Sequence, residues 1–380
     1  MHMADALLSP LVGGTMAAVS AGAVGYAAHR LKQEQFSAHS VPLMGVMGAF
    51  VFAAQMVNFT IPGTGSSGHI GGGILLSAVL GGPAALLTLT AVLIIQCLFF
   101  ADGGLLALGC NIFNMGVLPC LLVYPLVFAP LTKKGFTKGR LAAASIAAAV
   151  LALQLGAFAV VLETLASGIT ALPFSLFVLA MQPIHLAIGL VEGVVTGAVL
   201  YFVNGMEPDI LRAAREHRAA GADAGKAGRR RWAATLCVLL VCAGLTAGGL
   251  SLLASQNPDG LEWSIARVTG STELAPGENA VHSAAAAAQD ATAILPDYDD
   301  GTGTGTAKAG LVGGAMTLAL AAAAGGFAAF ARRRTRAENG EKNRAPQAAQ
   351  PGEESAALLQ AADGVKNPAE KEEAAHDAFA

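Results

Sequence analysis

The sequence predicts an all-α fold: a polytopic transmembrane helical bundle, followed by a two-helix transmembrane hairpin and a disordered tail. Three observations carry that expectation. Of 380 residues, 54% are hydrophobic and 13% are charged, against about 25% charged in a soluble domain, which excludes an ordinary soluble enzyme. The apolar residues fall in runs of the ~20 residues that a helix needs to cross the hydrocarbon core. The five cysteines, Cys97, Cys110, Cys120, Cys237 and Cys242, all lie inside such runs. That excludes a disulfide-stapled ectodomain, and no Cys-x-x-Cys pair suggests a zinc site.

Taken in chain order, the spans are expected at 7–28, 41–58, 106–129, 141–165, 174–203, 232–254 and 309–330. Between the second and third lies an apolar stretch, 70–100, broken by Gly81-Gly82-Pro83. Its first part is only about 15 Å long at 1.5 Å rise per residue, too short for an upright span, so it reads as a half-helix buried among the others. Lys and Arg concentrate in 30–32, 133–140, 212–231 and from Arg332 onward, which together hold 21 of the 23. The positive-inside rule makes those segments cytoplasmic. The N-terminus, the loop 59–70 and the segment 255–308 then face outward, in a multi-pass protein of the plasma membrane with its C-terminus in the cytoplasm. Met1-His2-Met3-Ala4-Asp5 carries no basic n-region, so the opening residues are not expected to be removed as a signal peptide.

Four parts are separable. Residues 1–205 form a bundle with short connections, and 206–231 a basic linker. Residues 232–331 form a two-span unit around an acidic outer segment, 255–308. The polar, Ala/Glu-rich 332–380 reads as a disordered tail.

The first chemistry-bearing feature is Met1-His2. A terminal amine, the next amide nitrogen and an imidazole Nδ1 at position two close a five- and a six-membered chelate ring on one cation. This requires amide deprotonation, which Ni(II) and Cu(II) drive and Zn(II) does not. The second is Ile61-Pro-Gly-Thr-Gly-Ser-Ser-Gly-His69-Ile-Gly-Gly-Gly73, one histidine in a glycine-rich stretch on the outward loop. Such backbone can dive into a bundle where it lines a cavity. Taken alone it reads as a flexible outer loop with a surface histidine. With His2 on the same outer face, the two places together supply four nitrogens.

Asp5, Gln55, Asn58, Asn111, Asn114, Glu163, His185 and Glu192 sit in or at the edges of spans, where polar groups are costly and face a cavity or a partner. Asn111 and Asn114 share a helix face, as do His185 and Glu192. Gln55 and Asn58 are placed to orient the His69 ring by accepting its other N–H. Interhelical gluing is the alternative for all of them. The remaining histidines, His282 among them, read as solvated. There is no phosphate-binding loop, so the chain has no ATP site of that type, and no His-Glu-x-x-His or Gly-x-Ser-x-Gly motif appears. The chain is therefore not expected to be an enzyme, and nothing points to nucleic acid.

Met1-His2-Met3-Ala4-Asp5-Ala6-Leu7-Leu8-Ser9-Pro10 resembles the opening of the CbiM/NikM family, the substrate-binding membrane subunits of cobalt and nickel energy-coupling-factor (ECF) transporters. Ala54-Gln-Met-Val-Asn-Phe59 leading into Gly65-Ser-Ser-Gly-His69, Gly109-Cys-Asn-Ile-Phe-Asn-Met-Gly116, and His185-Leu-Ala-Ile-Gly-Leu-Val-Glu-Gly193 resemble it too, in the same order. Ala6, and Met3-Ala4 in place of Ile-Pro, depart from the usual pattern. Asn257-Pro-Asp-Gly-Leu-Glu-Trp263 resembles the PDGLE signature of the NikN-like accessory domain.

The resemblance implies an ECF substrate-subunit fold and a metal site made by Met1, His2 and His69. It implies Ni2+ or Co2+ as the transported substrate. It also implies work supplied by a transmembrane coupling subunit and cytosolic ATPase subunits. The rival expectation is a proton- or ion-coupled secondary transporter using Glu163, His185 and Glu192.

Overall fold

The computed structural model describes residues 2–33, 40–216, 226–275 and 279–342. Residues Met1–Arg332 form one compact unit and Arg333–Ala380 a second. Most of the expected tail, with His376, lies outside the described residues, as do Met1, His39 and His217.

After a 3-10 turn at Asp5–Leu7, α1 runs Pro10–Gln33 and α2 Ser40–Gln55. A hairpin of β1 (Phe59–Ile61) and β2 (Ser66–Gly68) follows, antiparallel with Thr60 opposite Ser67. Next come α3 (Gly73–Leu80), α4 (Gly82–Phe100) and α5 (Leu108–Leu131). Then α6 covers Lys138–Ser167, α7 Phe174–Met206, α8 Pro208–Arg215 and α9 Lys226–Gly248. The outer segment folds into α10 (Gly260–Thr269) and α11 (Ala280–Thr292), and α12 spans Gly305–Lys342.

Among the described residues, seven helices are long and apolar enough to cross a membrane. The expected second span is shorter than foreseen: α2 has 16 residues, because the chain leaves it at Gln55 to enter the hairpin. The broken stretch divides as expected, into α3 of 8 residues and α4 of 19. Gly81 makes the break, with φ 81° and ψ 153°, a conformation open to glycine and strained for other residues. The last helix continues past Arg332 to Lys342, so the start of the expected tail is helical.

α5 departs from the regular α winding. Its Phe113–Phe128 stretch is π-helical and holds Pro119 and Pro125; each proline lacks an N–H, so the i→i−4 ladder cannot run unbroken through them. α4 is the central helix, with Leu89, Val92 and Phe100 in the main apolar core. α1 turns Leu11, Val19 and Tyr26 outward. A second apolar cluster joins Met3, Leu7 and Leu8 of the opening segment to Leu261 and Ile265 of α10. The accessory segment thus packs directly on the start of the chain.

Candidate metal centre

The opening residues enter the bundle as an extended strand, held chiefly by Asn111 on α5. The Met3 N–H donates to Asn111 Oδ1 (2.7 Å), and Asn111 Nδ2 donates back to the Met3 carbonyl (3.2 Å). That carbonyl also accepts from Gly104 N (2.9 Å). Asp5 turns its Oδ1 onto the Ala107 amide (2.9 Å). Gly103 sits where this strand, Asn111 and the α4–α5 loop converge. At φ +79° a Cβ there would lie 2.7 Å from Asn111 Nδ2 and 3.3 Å from the His2 Cβ.

This strand brings His2 onto His69. The two rings stack with centroids 5.4 Å apart and planes 15° from parallel. The His69 Nδ1 lies 3.1 Å from the Ile70 carbonyl. A carbonyl only accepts, so Nδ1 carries the proton and Nε2 the free lone pair of a neutral ligand. The His69 pKa is pushed down to about 4, first by burial and then by neighbouring positive charge, that of His2 included. At neutral pH the imidazole is uncharged and free to bind a cation.

His2 Nδ1 stands 3.1 Å from Asp102 Oδ1, and Tyr298 donates its hydroxyl to the other carboxylate oxygen. Burial disfavours the charged form of Asp102, but His2 and the Tyr298 hydroxyl outweigh it and hold the group down at about 2. A fixed negative charge therefore sits against the nitrogen that the chelate would use. Two cavities open beside it. One of about 360 Å³ is lined by His2, Asp102, Glu262 and His282 among others. One of about 240 Å³ is lined by His2, His69, Asp102 and Tyr298 among others. Asp259, Glu262 and Asp297 face both, a concentration of carboxylates that attracts cations.

The His69 hairpin is braced by the accessory segment. Ser67 N donates to the Pro258 carbonyl (2.8 Å), Ser67 Oγ to the Asn257 carbonyl (2.8 Å), and Trp263 Nε1 to the Thr64 carbonyl (2.9 Å). The Pro258-Asp-Gly-Leu-Glu262 run explains itself residue by residue. Pro258 offers its carbonyl to β2, and Asp259 caps α10 at the Leu261 and Glu262 amides. Glu262 closes the capping box on Asp259 N (2.9 Å). Leu261 is buried against Met3.

Among the expected ligands, the structure brings His2 and His69 together, and Met1 lies outside the described residues. Gln55 and Asn58 do not orient the His69 ring. Gln55 donates to the Gly71 carbonyl (2.9 Å) and accepts from Gln96 (2.8 Å), while Asn58 offers its backbone carbonyl to Ser255 (2.8 Å). Gln55 thus acts on the loop backbone and Asn58 through its own main chain, while the His69 N–H is already satisfied next door at Ile70. His185 and Glu192 are both buried on α7. Glu192 accepts the Gly71 and Gly72 amides (2.8 and 3.0 Å) and so fixes the start of α3. Glu163 accepts from Asn114 (2.8 Å). His282 is not solvated: it is buried, with Nε2 3.1 Å from the Asp5 carbonyl and 3.0 Å from that of Leu8. Asp102 and Tyr298 went unnoticed in the sequence, because a lone acid in a short loop carries no local mark of its partner.

These features define a multi-pass membrane protein with a preformed imidazole pair beside a carboxylate at the mouth of its bundle. Residues 2–210 match the CbiM family, described as the cobalt uptake substrate-specific transmembrane region. Residues 233–329 match the PDGLE domain. The chain belongs to the CbiM family of cobalt and nickel transport membrane proteins, with a fused PDGLE domain, and it is not an enzyme.

A protein of Haloquadratum walsbyi named for metal transport is 35% identical over 213 residues, covering 56% of this chain and 93% of its own. A fused protein of Lactiplantibacillus plantarum named for nickel transport, LarMN, is 32% identical over 272 residues, covering 70% and 78%. The cobalt transport protein CbiM of Sorangium cellulosum is 31% identical over 219 residues, covering 56% and 94%.

Proposed function

We propose that this chain is the capture subunit of an ATP-driven nickel or cobalt uptake transporter. It holds the divalent cation through the Met1 amine, the His2 amide nitrogen and Nδ1, and His69 Nε2. The observation that carries the reading is the His2–His69 stack (5.4 Å) beside Asp102. Two imidazoles from distant parts of the chain meet in a carboxylate-lined mouth, on a strand clamped by Asn111. A planar four-nitrogen set suits low-spin Ni(II) and accommodates Co(II).

Asp102 stands against His2 Nδ1. Loading exchanges that contact for the cation and leaves the carboxylate beside it as a counter-charge. Amide deprotonation releases a proton, so affinity rises with pH. The N-terminus and the segment 255–308 face outward and the C-terminus faces the cytoplasm. A membrane coupling subunit and cytosolic ATPases, encoded on other chains, supply the work of release. The parts 1–205, 206–231, 232–331 and 332–380 serve as metal-binding bundle, linker, accessory unit and tail.

Uptake of radioactive Ni2+ and Co2+ by cells expressing the chain with its partner subunits tests this reading. Uptake is expected to need ATP and to recover ATPase subunits on co-purification. Uptake that survives ATP depletion but collapses with the proton gradient would overturn it.

A further inference from the structure

Beneath His69 the bundle encloses a cavity of about 30 Å³, lined by His69, Asn114, Met115, His185, Glu192 and Gly260 among others. A single water needs roughly 10–15 Å³ measured this way, so the space has room for a water or two or for one small ion with little hydration. Two of its walls carry polar atoms with no hydrogen-bond partner among the described residues. His185 is 1% exposed, and its Nδ1 lies 2.8 Å from the Met181 carbonyl one turn back. The proton is therefore on Nδ1, and Nε2 presents a bare lone pair with no hydrogen-bond partner among the described residues. Asn114, 1% exposed on α5, donates its amide to Glu163 and leaves Oδ1 equally unpartnered.

A buried acceptor left unpaired costs about 1–3 kcal/mol, and native proteins hold few of them. Two in one cavity call for an occupant that satisfies both lone pairs, a donor such as water or a cation, and an imidazole Nε2 is a ligand that late transition metals take. Glu192, which accepts the backbone amides of Gly71 and Gly72, lines the same space with its carboxyl group. His185 has the ligand-ready form that His69 has, with Nδ1 tied to a carbonyl in both. Gly260 closes the cavity from the accessory side: a Cβ there would lie 3.2 Å from His185 Nε2. Among the described residues, no group of three or more His, Cys, Asp or Glu converges to hold a metal. A transit position has to bind weakly enough to let its ion leave.

We propose that His185 Nε2 and Asn114 Oδ1, backed by the Glu192 carboxylate, form a second, transient site that receives the late transition-metal cation from the His2–His69 site on its way into the bundle. The proposal rests on the capture reading above and concerns the step after it.

The test uses the full chain with a free amine, radioactive Ni2+, and the substitutions His185→Gln and His185→Cys. Retention by purified protein and initial uptake by cells bearing the partner subunits are both normalised to chain in the membrane. Expected for His185→Gln is retention within about twofold of wild type and uptake slowed about tenfold or more, a barrier rise of one decade. His185→Cys, which restores a metal-binding side chain, is expected to regain at least about a third of the wild-type rate.

Wild-type uptake in His185→Gln would overturn the proposal. So would a parallel loss of retention and uptake in both variants, which assigns His185 to the capture site or to packing. A Cys variant as slow as the Gln variant would overturn it as well. Failure of the wild-type chain itself to retain Ni2+ would sink the capture reading instead, and is read separately.

Discussion

Asn111→Ala is expected to weaken metal binding without touching a metal ligand. Wild-type Asn111 makes two bonds to Met3, at 2.7 and 3.2 Å. The Met3 carbonyl keeps its bond from Gly104, so losing Asn111 Nδ2 costs about 0.5–1.5 kcal/mol. The Met3 N–H is the larger loss: buried and left without an acceptor, it costs about 1–3 kcal/mol. Together these come to about 1.5–4.5 kcal/mol held by the bound pose of the opening strand. Apparent affinity scales with the fraction of chains in the competent pose, and each 1.4 kcal/mol is tenfold, so binding weakens by about tenfold to about a thousandfold. Competition for Ni2+ against a chromophoric chelator, with full-length protein carrying a free amine, reads this directly. Affinity within about threefold of wild type would refute the reasoning, because the strand would then be placed by something other than Asn111.

The other predictions follow from the same neighbourhood. The folded-state pKa of His69 lies at about 4, below its ordinary 6.5. Between those values the unfolded chain binds more protons, and stability is lost as pH falls through the window. Metal-free wild type should therefore lose thermal stability from pH 6.5 to 4 more steeply than His69→Gln, and parallel curves would contradict the assignment. Asp102→Asn keeps the shape but removes the charge beside His2, and should weaken Ni2+ binding by about tenfold, measured by the same competition. His282→Ala removes the donor that ties α11 to the Asp5 and Leu8 carbonyls and should destabilise the fold by about 1–3 kcal/mol in denaturant unfolding. Trp263→Phe loses the bond to Thr64, and should speed hydrogen exchange at the hairpin amides of residues 59–68 while leaving those of α4 unchanged.

Much of the architecture was legible because lipid imposes length. Runs of apolar residues gave the spans, and Gly81-Gly82-Pro83 marked the break between α3 and α4 to within a residue. The approach of His2 to His69 was legible as a matter of topology, since the spans expected from the sequence put both at the same end of the bundle. The hairpin was not legible. Ser66-Ser67-Gly68 has poor strand propensity, and its pairing is supported by Asn257 and Pro258, far along the chain. His282 looked solvated for the same reason: its partners are the carbonyls of residues 5 and 8, which leave no trace in its own neighbourhood. The roles of Gln55 and Asn58 were misread because only coordinates reveal that Ile70 already satisfies the His69 N–H. The π winding of Phe113–Phe128 has its cue in Pro119 and Pro125, but proline predicts an interrupted ladder and not the form that replaces it.

The central claim is that the chain's own opening nitrogens hold the metal. It is tested most directly by counting Ni2+ bound to purified full-length protein in two forms, one with a free Met1 amine and one whose amine is acetylated. The account predicts one ion per chain in the free form and none in the blocked one. Equal retention by both would contradict it.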